Sequence, residues 1–376
     1  MNRDIYLDNG ATTPPDPDIL QGMFQHHLEI FGNPGSGHRV GHAAKALLET
    51  ARQRTAEAMG GRASEVIFTG GGTEANALAI LGLAGDTPAD IAISAVEHAC
   101  TKEAAKYLKE RFNWTVNVIP VDAVGRVTPD GLAGTLTRNT RIVAIMMANN
   151  EVGTINDISA LSRVVRTQSP RAKFVVDAVQ GFGKIPFSVR RLDVDAIAVT
   201  AHKLHGPKGI GALWTPHPIR PVFKGGGQEN GRRGGTPSPP LAWALSEAFG
   251  RQVADNERIQ MLRDRLWAHL ENVLPQVSLN GAPLGHGRIG NHLHIHIPDI
   301  PTEPLINALS ADRMYVSGGS ACSTGAFSAV LTAMGRRKEE GAFIRLTLGR
   351  FSTDEDVPEA AGRLANAVND LRVAYA

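Results

Sequence analysis

Short apolar runs alternate with stretches of helical spacing through the first two-thirds of the chain. Val66 to Phe68, Ile91 to Ser94, Val116–Ile119, Ile142–Met147, Phe174–Val176 and Ala196–Val199 have strand length and are rich in β-branched residues. Gly70-Gly71-Gly72 follows the first run and opens a helical pattern through Ala75, Leu78 and Leu81. Helical spacing also runs from about Cys100 to Glu110, and Leu161-Ser-Arg-Val-Val-Arg repeats it between two later strands. Strands that are apolar at nearly every position predict a sheet covered on both faces. Their alternation with helices predicts that the sheet is mostly parallel. The expected class is α/β.

The pattern changes after about Thr236. Pro237 and the Pro239-Pro240 pair stand where a helix can start but not continue. A long amphipathic stretch follows, apolar at Leu241, Leu245, Ala248, Ile259, Leu262, Leu266 and Leu270. Beyond Pro275 come isolated strands, among them Asn291–Pro298, where His292, His294 and His296 alternate with Leu293, Ile295 and Ile297. That alternation reads as one face of a strand rather than a metal cluster, and no metal site is expected. A second, smaller α+β domain, hinged on the long helix, is predicted, with the N-terminal stretch free to join either unit.

Composition narrows the class. A length of 376 residues fits two or three structural units around a large core. Lys+Arg 39 against Asp+Glu 37 gives a net charge of +2, so no global field draws the chain to nucleic acid or to an acidic membrane. No apolar stretch approaches the roughly 18 residues of a membrane span. The opening MNRDIYLDNG carries charges where a signal peptide needs apolar residues. The 2 cysteines, Cys100 and Cys322, cannot build a disulfide framework and suit a reducing compartment. A cytoplasmic enzyme is expected.

The chemistry concentrates at strand ends. Ala196-Ile-Ala-Val-Thr-Ala-His-Lys203 runs an apolar strand into a lysine and then into a Gly/Pro-rich turn. An amine at a strand end can be partly desolvated, which lowers its pKa and makes it nucleophilic. Lys208 competes for that role but lies in the turn, where a surface charge is expected. Asp177 ends another buried strand. A carboxylate there serves either as a turn former or, beside a strand-end lysine, as the anionic partner that the ring nitrogen of pyridoxal phosphate needs. Thr69-Gly-Gly-Gly-Thr73 supplies a strand, a glycine turn and a helix start, which suits a phosphate. It matches neither the P-loop spacing nor Gly-x-Gly-x-x-Gly, since Ala75 stands where the last glycine belongs.

The ordered set of motifs is more specific than any one of them. It comprises Leu7-Asp-Asn-Gly-Ala-Thr-Thr-Pro14, Gly32-Asn-Pro-Gly-Ser-Gly-His38, Gly72-Thr-Glu-Ala-Asn76, Glu97-His98, Asn149-Asn-Glu-Val-Gly153, Asp177-x-x-Gln180 and Ala201-His-Lys203. It continues with Gly225-Gly-Gly-Gln-Glu229, Arg233-x-Gly-Thr236, Ser320-Ala-Cys322 and Ile344-Arg345-Leu-Thr-Leu-Gly-Arg350. Together these resemble the cysteine desulfurases of the class V aminotransferase group, over nearly the whole chain. The resemblance implies a large domain, residues 15–255, with a mostly parallel seven-stranded sheet. It also implies a small domain of residues 1–14 and 256–376 that carries Cys322.

The same resemblance implies pyridoxal 5'-phosphate as cofactor and L-cysteine as substrate. Lys203 matches the lysine that bonds the cofactor aldehyde, Asp177 the partner of its ring nitrogen, and Gln180 the donor to its phenolic oxygen. His98 matches the imidazole stacked on the ring. Gly72, Thr73, Thr200 and His202 match the phosphate cradle, Asn150 also faces the cofactor, and Thr236 matches a phosphate contact from the second subunit of a homodimer. Arg345 matches the clamp on the substrate carboxylate, helped by Asn33 and Asn150, and Cys322 the thiol that receives sulfur. A sulfur-acceptor protein, an iron–sulfur scaffold or a thiolation enzyme, is the implied partner.

A selenocysteine lyase, a plain aminotransferase and a non-catalytic sulfur relay are the competing readings; Cys322, in a setting too small and polar for core, argues against plain transamination. Cys100 is expected to be structural. Arg232-Arg233 is read as a subunit contact near the cofactor rather than a solvated pair. Ser323-Thr-Gly, Gly318-Gly319 and the short stretch from Cys322 to Arg345 depart from the family pattern.

Overall fold

The structure is a computed structural model and describes residues 3–318 and 327–375. The strands are β1 (Ile5–Tyr6), β2 (Val66–Thr69), β3 (Asp90–Ser94), β4 (Thr115–Ile119), β5 (Thr140–Met146), β6 (Lys173–Asp177), β7 (Ala196–Thr200), β8 (Gly211–Trp214), β9 (Ser278–Leu279), β10 (His292–Ile297), β11 (Met314–Tyr315) and β12 (Ala342–Thr347). The helices are α1 (Pro17–Glu29), α2 (Arg39–Met59), α3 (Gly72–Leu83), α4 (Ala99–Phe112), α5 (Pro129–Thr135), α6 (Ile158–Gln168), α7 (Val189–Leu192), α8 (Pro239–Val273), α9 (Thr302–Ala311), α10 (Ala329–Ala333) and α11 (Asp356–Tyr375).

Seven strands form the main sheet in the order β2-β8-β7-β6-β5-β3-β4. Strands β4, β3, β5, β6 and β7 run parallel, while β8 is antiparallel to both neighbours. Alternate residues face opposite sides. Val143, Ile145, Phe174, Val176, Ile197 and Val199 join one apolar cluster, and Ile142, Ala144, Val175, Ala196 and Ala198 join another. This is why the strands read as unbroken apolar runs: each face is covered by helices. The expected α/β class and all six predicted strand runs are observed. The sequence reading missed β8, whose four residues follow directly on a turn rich in glycine and proline, and it missed α1 and α2.

A second sheet has the order β12-β10-β9 and is antiparallel. The N-terminal stretch sides with this part of the molecule: β1 pairs with β11, and Asp8 bridges to Thr347. On β10, His292, His294 and His296 do share one strand face. Both His292 and His294 are fully buried, His292 packed against Gly153 and His294 hydrogen-bonded to Asn280 at 3.2 Å. Burial holds both imidazoles neutral, with His294 pushed down to about 3. The long helix α8 starts on Pro239 and packs along both α2 and α11, linking the two apolar regions. Among the described residues, no helix is long and apolar enough to cross a membrane.

The loop after residue 224 is fastened to the main sheet by one buried ion pair. Arg52 of α2 grips Glu229 at 2.6 and 2.8 Å, and the same carboxylate accepts from Phe68 N on β2 at 3.0 Å. Glu229 and Asn230 both sit in the left-handed region, with φ of 49° and 57°. That conformation costs a non-glycine residue about 1–2 kcal/mol, which the ion pair offsets. Glu229→Ala takes away the buried carboxylate of the Arg52 guanidinium, leaving it the half-exposed Glu49 and the Val66 carbonyl. It should cost about 3–5 kcal/mol in urea unfolding, and adding Arg52→Ala should cost less than the sum of the two single changes.

Candidate functional site

Parallel strands deliver their following loops to one edge of the sheet. The chain order reverses beside β5, where β3 pairs with β4 on one side and β5 on the other. A crevice at such a reversal is where open α/β sheets bind ligands. A cavity of about 350 Å³ lies there, lined by Thr73, His98, Asp177, Gln180, Lys203 and Arg345 among others. Gly72, Asn150, Thr200 and His202 line it as well. Sequence-predicted residues from six separate segments therefore meet in one place.

Asp177 ends β6, paired with Met146 of β5 and Ala198 of β7. Its Oδ1 accepts from Val179 N at 2.9 Å and its Oδ2 from Asn76 Nδ2 at 2.9 Å. Burial pushes this carboxyl up, while the Val179 amide, His98 and Asn76 pull it back. Lys203 ends a single 3-10 turn directly after β7. Its Nζ donates to the carbonyls of Gly10 at 2.7 Å and Ala11 at 2.5 Å. Lys208 is exposed in the following turn, as expected.

His98 caps α4, accepting from Cys100 N on Nδ1 at 3.2 Å. Burial lowers its pKa, as it does for His202, which falls to about 4; both imidazoles are neutral at pH 7. Glu97, just upstream, is wholly buried. Its Oε1 accepts from Ser94 Oγ and Met146 N, and burial raises its pKa to about 8. It is therefore protonated at neutral pH and adds no charge beside Asp177.

At the start of α3, Gly71 and Gly72 leave bare backbone. A Cβ on Gly72 would lie 2.7 Å from Val179 Cγ2, so only glycine allows the turn after Asp177 to pack against this helix end. Exposed N–H groups here, with the Thr73 hydroxyl, suit an anion. Arg345 on β12 is 2% exposed and reaches the cavity from the second sheet. It donates to Asn150 O at 2.7 Å and pairs with Asp8 Oδ1 at 2.7 Å.

Two predicted residues lie elsewhere. Asn33 does not line the cavity; its Oδ1 accepts from Gly35 N at 2.8 Å. Thr236 is exposed and also outside the lining. Cys322 lies outside the described residues. The reading of Arg232-Arg233 as a subunit contact meets an intramolecular alternative. Arg233 pairs with Glu74 at 2.7 Å, and Arg232 donates to the carbonyls of Ser64 at 2.9 Å and Glu229 at 3.0 Å.

Gly10, Asn76 and Cys100 are among the lining residues given no role at the site from sequence. Asn76 follows Thr73 by three residues, so helical spacing alone puts both on one face. Cys100, expected to be structural, faces the cavity with Sγ 3.0 Å from His98 Nδ1. Burial pushes its thiol up to about 12, so it stays protonated.

Pyridoxal 5'-phosphate makes three demands that these residues meet. It needs an amine for its aldehyde, a buried carboxylate for its ring nitrogen and bare backbone donors for its phosphate. The glycine-lined start of α3, whose space a side chain at residue 72 would fill, supplies the last.

Comparison with known proteins agrees. The class-V aminotransferase family profile matches residues 5–359. The cysteine desulfurase IscS of Methanosarcina thermophila is 35% identical over 99% of this chain and 93% of its own length. The same enzyme of Dictyoglomus turgidum is 36% identical over 99% of this chain and 96% of its own length. Among solved structures, a NifS-like protein superposes with a TM-score of 0.91 at 34% identity, covering 98% of this chain and 100% of its own. SspA, solved in complex with cysteine, gives 0.81 at 28% identity, covering 93% and 100%. The chain belongs to the class-V aminotransferases, a family dependent on pyridoxal phosphate, and within it to the cysteine desulfurases.

Proposed function

We propose that the chain converts L-cysteine to alanine, with Lys203, Asp177 and Arg345 at the reacting centre and Cys322 as the sulfur acceptor. The observation that carries this reading is the convergence of a strand-end amine, a buried carboxylate and a buried guanidinium on one cavity. The cysteine bound to SspA and the names of the relatives support the choice of substrate.

Bound here, the cofactor would supply an electron sink for the substrate's α-carbon. Asp177 holds negative charge where the ring nitrogen needs it, and Gln180 offers a donor to the phenolic oxygen. Gly72, Thr73, Thr200 and His202 hold the phosphate, His98 faces the ring, and Asn150 edges the cavity. Lys203 moves the α-proton, its amine aimed by the Gly10 and Ala11 carbonyls. Arg345 grips the substrate carboxylate through two parallel hydrogen bonds, a geometry a lysine cannot offer. Asn33 and Asn150 assist it. His98, neutral at pH 7, takes or returns the proton of the substrate thiol.

The sulfur balance needs no outside electron donor. A sulfur–sulfur bond forms on Cys322, the substrate's carbon–sulfur bond breaks, and carbon takes up a proton to give alanine. We further propose a division into residues 15–255 and residues 1–14 with 256–376, the second unit bringing Cys322. A homodimer would contribute Thr236 from the partner copy, and an iron–sulfur scaffold or thiolation enzyme would take the sulfur. A reducing, cytoplasmic setting suits a thiol that must be regenerated at each cycle.

Cys322→Ser should abolish sulfide release from cysteine while leaving the visible cofactor absorbance intact. Lys203→Ala should lose that absorbance altogether, whereas a sulfur relay without catalysis would keep its function. Normal sulfide release by the serine variant would refute the assignment. Arg345→Lys should raise the KM for cysteine about 100-fold with little change in unfolding temperature, since one point charge replaces a bidentate grip. In a Cys322→Ser background, iodoacetamide at pH 8 should leave the folded protein unlabelled. A thiol held near 12 is about one part in ten thousand thiolate at that pH, so rapid modification of Cys100 would contradict its burial.

A further inference from the structure

We propose that Lys184 is a positioning residue whose ammonium fixes which end of the Gln180 amide faces the cofactor cavity. This rests on the reading of the cavity given above. Lys184 lies four residues after Gln180 in the turn that leaves β6, and its Nζ donates to Gln180 Oε1 at 3.2 Å. An amide presents nearly identical shapes at its two ends, one an acceptor and the other a donor. In its ammonium form, which prevails below about pH 7, the lysine has only donors to give, so it selects the oxygen. Gln180 Nε2 is thereby turned toward Gly10, donating to that carbonyl at 2.9 Å and leaving its second N–H for the cavity.

The turn holds Lys184 firmly. Gly183 adopts φ of +72° and packs against Leu204 and Gln252, so a side chain there would be strained as well as crowded. Asn256 on α8 donates to the Gly183 carbonyl at 2.7 Å, and Gln252 in turn donates to Asn256. The surroundings of the amine are otherwise unfavourable to it. Among the described residues Lys184 makes no ion pair, and the charges bearing on it are the cations Lys203, after β7, and Arg345, on β12. His202, His205 and His292 feel its field in turn, all three held neutral by burial. Burial and this repulsion push Lys184 down to about 7. An amine kept in such a place contributes little to folding, and its side-chain hydrogen bond goes to the Gln180 oxygen.

The consequence reaches Lys203. Its amine and the Gln180 amide share the Gly10 carbonyl, so a flipped Gln180 would turn an oxygen toward Gly10 O and toward the cofactor's phenolic oxygen. Two acceptors would then face each other. Loss of the donor makes the anionic form of that phenolic oxygen less favourable, so the proton shared with it leaves at higher pH.

The test uses the full-length, cofactor-loaded protein and three variants: Lys184→Met, Gln180→Ala and the double change. Lys184→Met should raise the pH midpoint of the visible spectral transition by about half to one pH unit. It should also speed loss of bound cofactor to a scavenger about 3- to 10-fold. In the Gln180→Ala background the same change should do neither. Equal effects of Lys184→Met in both backgrounds would show that it acts independently of Gln180 and would overturn the proposal, as would no effect in either. Lys184→Arg, which keeps a donor, should restore most of the spectral midpoint. An unaltered protein with no visible band would instead sink the reading of the cavity itself, and this proposal with it.

Discussion

The backbone carbonyl of Gly10 is the point on which the site is assembled. It accepts from the Lys203 amine and from the Gln180 amide, and the Gly10 N–H donates to Thr347 Oγ1 at 2.7 Å. A short N-terminal segment thus ties β12 to the ends of β6 and β7. The fit there is tight: a Cβ would lie 3.1 Å from the Arg345 guanidinium and 3.2 Å from Thr347 Cγ2, so a larger residue would press on both. Asp8, two residues earlier, meets the same guanidinium from the other side. Residues at opposite ends of the chain therefore fix the distance between the amine and the arginine.

What could be read in advance follows from how local each signal is. Lys203 and Asp177 were legible because each ends an apolar strand of a parallel sheet, and all such strands end at the same edge. The glycine turn before α3 was legible for the same reason. Asn76 needed only one helical turn of counting from Thr73. The roles of Gly10 and Asp8 were not legible, since their partners are nearly two hundred and more than three hundred residues away and only tertiary packing brings them close. Strand β8 escaped because it opens on Gly211 directly after a Gly/Pro-rich turn, leaving only Ala212-Leu-Trp214 as an apolar signal without a β-branched residue. His292 and His294 show the converse: alternation correctly gave one strand face, but not that this face is buried.

Electrostatically the cavity is lopsided. Lys203 and Arg345 line it, with Lys184 close behind Gln180, while Asp177 is its buried acid and Glu97 stays protonated beside it. The histidines at its margin are neutral, so they modulate shape and hydrogen bonding more than charge. A ligand bearing both a phosphate and a carboxylate is what such a surplus of positive groups accommodates, and a single cationic ring nitrogen is all that Asp177 can balance.

Asp8 deserves a last consideration in this light. Its carboxylate already holds one nitrogen of the buried Arg345 guanidinium, at 2.7 Å. Any incoming molecule must therefore outcompete an acid already in place. On the proposed role of Arg345, an amine or thiol lacking a carboxylate has nothing to exchange for Asp8, and the ion pair would stay closed against it.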